Sequence, residues 1–168
     1  MARILIVGCG CRGQALARAL RAEGHAVRGT TRDPSRVAAI EATGAQAQLG
    51  DPDRIGSLLY AFDGVTVACW LMGQVEEDAL HGTRLEMLFA KLVDTTVRGV
   101  VCEAAGAAGP ERLERGRAIA EKARDTWEIP LAFVDAEPAD HAAWLPSARA
   151  AVGRLLALHS RRAYRETG

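Results

Sequence analysis

Three glycines, Gly8, Gly10 and Gly13, have the Gly-x-Gly-x-x-Gly spacing of backbone turns that bind phosphate groups. In such a turn the first glycine permits a sharp change of direction, and the second lets the backbone approach a pyrophosphate. The third lets the following helix pack closely on the preceding strand. Amide groups at the start of that helix, near Cys11 and Arg12, attract the anion together with the helix dipole. The motif therefore predicts a pyrophosphate site, and the alternative is a glycine turn that only packs.

A second group of polar residues, Thr31, Arg32 and Asp33, stands where the second predicted strand ends. In dinucleotide sites an acid at this position binds the ribose hydroxyls of NAD, and a basic residue accommodates the 2′-phosphate of NADP. The planar guanidinium of Arg32 suits a phosphate, and Thr31 can donate a hydroxyl hydrogen bond. Asp33 is either the acid of an NAD site or the N-cap of a helix starting at Pro34, and we favour the cap. The segment thus predicts NADP as the cofactor, with NAD as the less favoured alternative.

Two further residues, His81 and Glu103, are the preferred candidates for acid or base chemistry. They follow the fourth and fifth predicted strands, in the two loops expected to face the reactive ring of a bound cofactor. Other acidic residues, in the loops after strands four and six, are alternative candidates. For all of these residues, capping a helix or lying solvated at the surface is the ordinary role and stays open. The sequence therefore names candidates at this end of the sheet and leaves the catalytic residue unassigned.

The four cysteines, Cys9, Cys11, Cys69 and Cys102, lie inside or beside predicted strands and lack the spacing of a disulfide framework. We expect reduced thiols and no metal site. Cys9 and Cys11 flank Gly10 at a helix start, a position that lowers a thiol pKa, so a redox-sensitive turn is one interpretation. The interpretation that we favour is that small residues fit a tight turn.

Short apolar segments alternate with helical patterns along the chain, which is typical of β-α-β units in a parallel sheet. Strands are predicted at residues 3–7, 26–30, 45–49, 65–71, 99–103 and 131–135. Helices are predicted near residues 11–23, 34–43, 52–62, 83–94, 111–127 and 139–162. The predicted fold class is therefore α/β: a single doubly wound Rossmann domain over residues 1–168, with a parallel sheet of about six strands and helices on both faces. The last helix packs on the sheet or pairs with a second subunit in a homodimer.

The composition is that of an ordinary globular protein, since 49% of the 168 residues are hydrophobic and 25% are charged. The 21 basic and 21 acidic residues balance, so no overall field attracts nucleic acid or an anionic membrane. No apolar run has the roughly 18 residues that a membrane span needs, and the first residues lead directly into a strand. We expect a cytoplasmic protein without nucleic-acid or membrane partners.

Three segments of the chain resemble the atypical short-chain dehydrogenase/reductases, in particular their NmrA-like and epimerase-like NAD(P)-binding members. These segments are ILIVGCGCRGQALARALRAEGHAVRGTTRDPSR, LGDPDRIGSLLYAFDGVTVACWLMG and RGVVCEAAG, and they span most of the first 106 residues. The resemblance implies that Asp51 lies against the adenine of the cofactor and that Trp70, Leu71 and Met72 line the cofactor site. Capping of the third predicted helix is an alternative for Asp51, and the residue could hold both roles.

Catalytic members of that group carry a serine after the fifth strand and a tyrosine that is followed four residues later by a lysine. Here Ala104 and Ala105 stand at the serine positions, and neither Tyr60 nor Tyr164 has the lysine. One implication is a small NADP-dependent oxidoreductase without the usual Ser-Tyr-Lys relay, acting on an unknown small molecule. The other is a non-catalytic NADP-binding sensor or regulatory protein. An S-adenosylmethionine methyltransferase is disfavoured by the complete glycine motif and by the lack of an acid at the end of strand two.

Overall fold

A six-stranded parallel sheet forms the centre of the computed structural model, which describes residues 1–167. Its strands are β1 (Arg3–Val7), β2 (Ala26–Thr31), β3 (Gln46–Leu49), β4 (Val67–Trp70), β5 (Val100–Glu103) and β6 (Leu131–Val134). They are ordered β3-β2-β1-β4-β5-β6, and every neighbouring pair is parallel. From β1 the chain continues to one side of the sheet through β2 and β3, and then crosses to the other side through β4, β5 and β6. At this change of direction, between β1 and β4, a crevice opens beyond the carboxyl ends of the strands.

Helices cover both faces of this sheet. They are α1 (Cys11–Ala22), α2 (Val37–Glu41), α3 (Thr83–Leu92), α4 (Pro110–Trp127) and α5 (His141–Glu166), with 3-10 helices at Pro34–Arg36, Ile55–Phe62 and Asp78–His81. One face packs against α1, α2 and α5, and the other packs against α3, α4 and the 3-10 helix Ile55–Phe62. The predicted doubly wound α/β fold is confirmed. Within residues 1–167, no helix is both long enough and apolar enough to cross a membrane.

The central strands are apolar on both sides because both sides are covered. In β1, Leu5 belongs to the core under α3 and α4, whereas Ile4 and Ile6 belong to the core under α1 and α5. Each of these three side chains is fully buried, which stabilises the fold by about 1.5–3 kcal/mol per residue. Because helices cover both faces of the sheet, its central strands are continuous apolar runs, and these runs are the pattern that predicts buried parallel strands from the sequence.

The prediction of a third α-helix at residues 52–62 was wrong in helix type, because the segment Ile55–Phe62 is a 3-10 helix. The hydroxyl of Ser57 accepts from the Asp51 amide at 2.9 Å and contacts the carbonyl oxygens of Asp51 and Arg54 at 3.1 and 2.7 Å. These local bonds compete with the i to i−4 pattern of an α-helix. The second predicted helix is likewise a 3-10 turn followed by the five residues of α2.

The carboxyl-terminal helix α5 packs on the sheet along its first half. Ala148, Val152 and Leu155 are buried there, and the side chain of Asp140 caps the helix by accepting from the Ala143 amide. Residues 157–166 of the helix are exposed. Pairing with a second subunit stays a prediction. Gly168, the last residue of the predicted domain, lies outside the described residues.

Candidate functional site

The turn between β1 and α1 has the backbone that the glycine motif requires. Gly8 has a φ of +80°, a conformation that side chains rarely adopt. The Cys9 amide donates to the Thr30 carbonyl at 3.0 Å, which ties the turn to β2. A Cβ on Gly13 would lie 3.0 Å from Ile6 Cγ2, so α1 and β1 pack too closely there for a side chain.

The first amides of α1 have no acceptor within the part of the protein that the structure describes. Gly10 is the N-cap and has no side chain, and the first bond that closes the helix runs from the Gln14 amide to the Gly10 carbonyl at 2.8 Å. Within residues 1–167, the amides of Cys11, Arg12 and Gly13 have no hydrogen-bond acceptor. Three amides at the positive end of a helix dipole can bind an anion.

A cavity of about 370 Å³ adjoins this turn at the carboxyl ends of β1 to β4. Its wall contains Gly8, Cys9, Gly10, Arg12, Thr30, Thr31, Arg32, Asp33, Arg36, Gly50, Pro52, Leu71, Met72, Gln74, Val75, Glu77 and Leu80. The wall includes most of the residues predicted to bind the cofactor. Among the predicted cofactor residues, Cys11, Gly13, Asp51 and Trp70 stand outside it.

Two arginines, Arg32 and Arg36, bring positive charge to the cavity. Arg32 Nη1 lies 3.7 Å from Glu77 Oε1, and Arg36 Nε lies 3.7 Å from Asp33 Oδ2, with all four side chains largely exposed. Exposed pairs at this distance stabilise little, so an incoming anion can replace these carboxylates. Arg36 also reaches toward the glycine turn, since its Nη1 lies 3.9 Å from where a Cβ on Gly10 would be.

Asp33 caps the 3-10 helix Pro34–Arg36, which confirms the role that we favoured for it. Its Oδ1 accepts from the Ser35 amide at 2.9 Å and from the Ser35 hydroxyl at 2.7 Å. These bonds hold the pKa of Asp33 below its ordinary value. The carboxylate is therefore engaged in the turn beside the cavity.

Asp51 and Trp70, the two residues taken from the family resemblance, have mainly local partners. Asp51 Oδ1 accepts from the Asp53 amide at 2.9 Å, which stabilises the turn after β3. The ring of Trp70 is buried in the core below α3 and donates from Nε1 to the Leu80 carbonyl at 3.3 Å. The cavity is reached at this strand by the next two residues, Leu71 and Met72.

Comparison with known proteins connects this arrangement to a family. Residues 4–94 match the model of the TrkA-N domain, from β1 through the end of α3. The chain belongs to the TrkA-N domain family. None of the curated proteins matches its sequence.

Solved structures similar to this TrkA-N domain include dehydrogenases, reductases and epimerases. Triphenylmethane reductase of Citrobacter sp., complexed with NADP(H), is 20% identical with a TM-score of 0.64, over 79% of this chain and 48% of that one. A short-chain dehydrogenase/reductase superfamily protein of Agrobacterium tumefaciens with bound NAD is 18% identical with a TM-score of 0.64, over 78% and 48%. UDP-glucuronic acid 4-epimerase of Bacillus cereus with NAD is 12% identical with a TM-score of 0.63, over 80% and 56%. These likenesses show a shared fold, and the chain spans about half the length of each neighbour.

Glu103 of the TrkA-N chain, at the end of β5, is the centre of a buried hydrogen-bond network. Its Oε1 accepts from Arg12 Nη2 at 2.8 Å and from the Gly73 amide at 3.0 Å. Its Oε2 accepts from Arg12 Nε at 3.1 Å and from Trp144 Nε1 at 2.8 Å. The carboxylate thus joins α1, the loop after β4 and α5 through four hydrogen bonds, two of them from the guanidinium of Arg12.

His81, the other candidate acid or base, is buried beneath α4. Its Nε2 lies 2.6 Å from the Val75 carbonyl, and because a carbonyl only accepts, Nε2 carries the hydrogen. Burial lowers the pKa of His81 in spite of this bond. Its Nδ1 lies 3.9 Å from where a Cβ on Gly116 would be, so the ring faces α4.

The tyrosines of the TrkA-N chain lie outside the cavity wall, and its cysteines are mostly buried. Tyr60 and Tyr164 are 84% and 83% exposed, the first on the 3-10 helix Ile55–Phe62 and the second near the end of α5. All four cysteines are free thiols, and only Cys11 is exposed among them. Burial raises the pKa of Cys9 to about 12, which keeps that thiol protonated. The packing role that we favoured for Cys9 agrees with this environment.

The signal for Arg36 was present in the sequence but was missed. Arg36 closes the segment Asp33-Pro34-Ser35-Arg36, in which a capped turn returns the chain toward the glycine motif. A basic residue four positions after Arg32 was therefore a second candidate for the same anion.

Proposed function

We propose that this TrkA-N domain binds NADP(H) in the cavity beside the glycine turn. The observation that carries the proposal is that the glycine turn before α1, the first turn of α1 at Arg12, and the side chains of Arg32 and Arg36 line one cavity. A pyrophosphate needs the amides, and a ribose 2′-phosphate needs a basic residue at the end of β2. The cavity offers partners for both groups.

The same residues favour NADP(H) over NAD(H). An NAD site needs a carboxylate that accepts from the ribose hydroxyls at the end of β2. Here β2 ends at Thr31, and the nearest carboxylate, Asp33, already accepts two bonds from Ser35. The similar folds that contain NADP(H) or NAD support a dinucleotide in this position.

Removal of the two arginines is expected to weaken NADPH binding selectively. A hydrogen bond to a charged group is worth about 1.5–3 kcal/mol, so Arg32→Ala should raise the Kd of NADPH roughly tenfold or more. Arg36→Ala should act in the same direction, and the Kd of NADH should change little in both variants. Calorimetric titration of each cofactor measures the effect.

Arg18→Ala is the matched control for this pair, because it removes the same charge from an exposed position of α1 outside the cavity wall. It should leave both dissociation constants unchanged. Equal losses for NADPH and NADH in Arg32→Ala would contradict the assignment of the 2′-phosphate to this arginine.

A sensor or regulatory role is the use of NADP(H) that the geometry supports best. The carboxylate of Glu103 accepts four bonds, and the ring of His81 faces α4, so neither is poised to exchange a proton with a ligand in the cavity. The resemblance of the sequence to NmrA-like proteins, which we noted from its motifs, is compatible with this role. A small oxidoreductase is the second candidate, in which NADPH transfers a hydride to a small-molecule acceptor and water supplies the proton that completes the reduction.

Any oxidation of NADPH is expected to be slow and independent of tyrosine. General acid catalysis usually contributes about 10²–10⁴-fold, and Ala104 and Ala105 provide no relay serine. Tyr60→Phe and Tyr164→Phe should leave the rate unchanged with quinones, flavins and small carbonyl compounds, measured by absorbance at the NADPH band. Tight NADPH binding without turnover would favour the sensor, and a large loss in either tyrosine variant would contradict the proposed absence of a tyrosine relay.

A further inference from the structure

Glu77, in the segment between β4 and α3, places a carboxylate beside Arg32 in the cavity. Glu77 Oε1 lies 3.7 Å from Arg32 Nη1, and both residues belong to the cavity wall. Arg32 follows β2 and Glu77 follows β4, while β1 lies between these two strands in the sheet. The ion pair therefore reaches across the end of β1, where the glycine turn begins, and joins the two sides of the cavity.

The segment around Glu77 is held in place by other residues. The Val75 carbonyl lies 2.6 Å from His81 Nε2, which fixes the backbone on either side of Glu77. Glu77 itself stands at the N-cap position of the 3-10 helix Asp78–His81, but its side chain accepts no capping bond from the amides of that helix. The carboxylate can therefore move away from Arg32 while the backbone keeps its conformation.

The other carboxylate in the wall beside the arginines, that of Asp33, has a structural role that Glu77 lacks. Asp33 Oδ1 accepts two bonds from Ser35 and so caps the 3-10 helix Pro34–Arg36. The side chains of Arg32 and Glu77, in contrast, are 63% and 49% exposed, and an exposed ion pair at their separation stabilises little. A phosphate has up to two negative charges and accepts paired bonds from a guanidinium, so it can displace the carboxylate of Glu77.

We propose that Glu77 competes with the 2′-phosphate of NADP(H) for Arg32 and thereby limits the affinity of the site for this cofactor. The inference rests on the proposed function and adds an autoinhibitory contact to it. NADPH must break the ion pair, and its phosphate then lies near a carboxylate of like charge. NADH has a hydroxyl group in place of the phosphate and leaves the ion pair intact. Glu77 therefore narrows the preference for NADPH that Arg32 creates.

Glu77→Gln tests this inference, because glutamine keeps the size of the side chain and removes its charge. The Kd of NADPH should fall roughly three- to tenfold, which is about the effect of one exposed ion pair together with the lost repulsion. The Kd of NADH should change much less. Calorimetric titration of both nucleotides measures these effects, and the gain for NADPH should shrink as salt screens the charges. The Tm of the free variant should stay close to that of the wild type.

Glu76→Gln is the matched control, since it removes the same charge from the neighbouring exposed position, outside the cavity wall. It should leave the Kd of NADPH nearly unchanged. A second control places Glu77→Gln in the Arg32→Ala background. The gain in NADPH affinity should be much smaller there, because no guanidinium at position 32 remains to be released.

An unchanged or higher Kd of NADPH in Glu77→Gln would overturn the inference and leave the proposed function standing, since Arg32→Ala tests that function separately. Equal gains for NADPH and NADH, or an equal gain in Glu76→Gln, would overturn it too, because they indicate a general effect of charge. A full gain in the Arg32→Ala background would exclude competition for this arginine. If the wild-type protein binds neither nucleotide, the proposed function itself fails and the inference with it.

Discussion

Gly10→Val is expected to abolish the binding of both NADPH and NADH while the protein stays folded. Gly10 has an extended backbone, with φ −84° and ψ −155°, that a valine can nearly adopt. The atom nearest to a Cβ at this position is Arg36 Nη1 at 3.9 Å, at the end of a flexible side chain. A Cβ at Gly10 thus enters the wall of the cavity at the start of α1 without a clash within the protein.

The expected loss of affinity follows from the bonds that the valine blocks. A pyrophosphate held by the amides of α1 forms charge-assisted bonds of about 1.5–3 kcal/mol each, so losing two of them raises Kd about hundredfold or more. Calorimetric titration measures this loss, and circular dichroism melting measures the fold. Gly153→Val in α5, where no atom lies within 4 Å of the new Cβ, should bind as the wild type does. A folded Gly10→Val variant with normal binding would show that the glycine turn only packs.

The neighbouring glycine separates a packing defect from a binding defect. Gly8 has a φ of +80°, and a Cβ there would lie 3.2 Å from Met72 Cε and 3.4 Å from the Leu71 carbonyl. Gly8→Val is therefore strained by its backbone and its surroundings, and it should lower the Tm. We therefore expect the motif to combine a glycine required by the fold, Gly8, with one required by the proposed ligand, Gly10.

The fold was predictable from the sequence because its signals are local and repeated. Apolar runs, such as that in Arg3–Val7, bounded by glycine turns, place buried strands to within one or two residues, and the alternation with helical patterns predicts the parallel sheet. The 3-10 helix Ile55–Phe62 was not predictable in the same way. Its geometry depends on hydrogen bonds between the Ser57 hydroxyl and the backbone of Asp51, six residues away. The spacing of apolar residues does not depend on these bonds and so cannot predict them.

The site was predictable where it depends on backbone and only in part where it depends on tertiary packing. The glycine turn and Arg32 follow from spacing along one β-α-β unit. Glu103 was predicted to face a cofactor ring, but its partner Arg12 is 91 residues away along the chain.

Glu103→Gln is expected to destabilise the protein far more than the loss of a carboxylate from an exposed ion pair. Glutamine keeps the shape but replaces one carboxylate oxygen by an amide nitrogen, which then faces donors from Arg12 and from Gly73 or Trp144. The side chain of Glu103 is 1% exposed and that of Arg12 is 19% exposed, so water compensates little for the lost charge. Breaking a buried ion pair by removing one partner costs about 3–5 kcal/mol.

Thermal unfolding measures this cost, because about 1 kcal/mol shifts the Tm of a protein of this size by roughly 2–4 °C. Asp135→Asn is the matched control, since it removes a carboxylate 2.9 Å from Arg117 at an exposed position, where such pairs are worth about 0–1 kcal/mol. The double variant Glu103→Gln with Arg12→Gln should lose less stability than the sum of the two single variants, because each single change leaves an unpaired buried group. A Tm for Glu103→Gln equal to that of Asp135→Asn would mean that the network adds no stability. The expected large loss would instead show that the carboxylate holds α1, the loop after β4 and α5 together at the carboxyl edge of the sheet, which explains a buried acid at this position without a catalytic role.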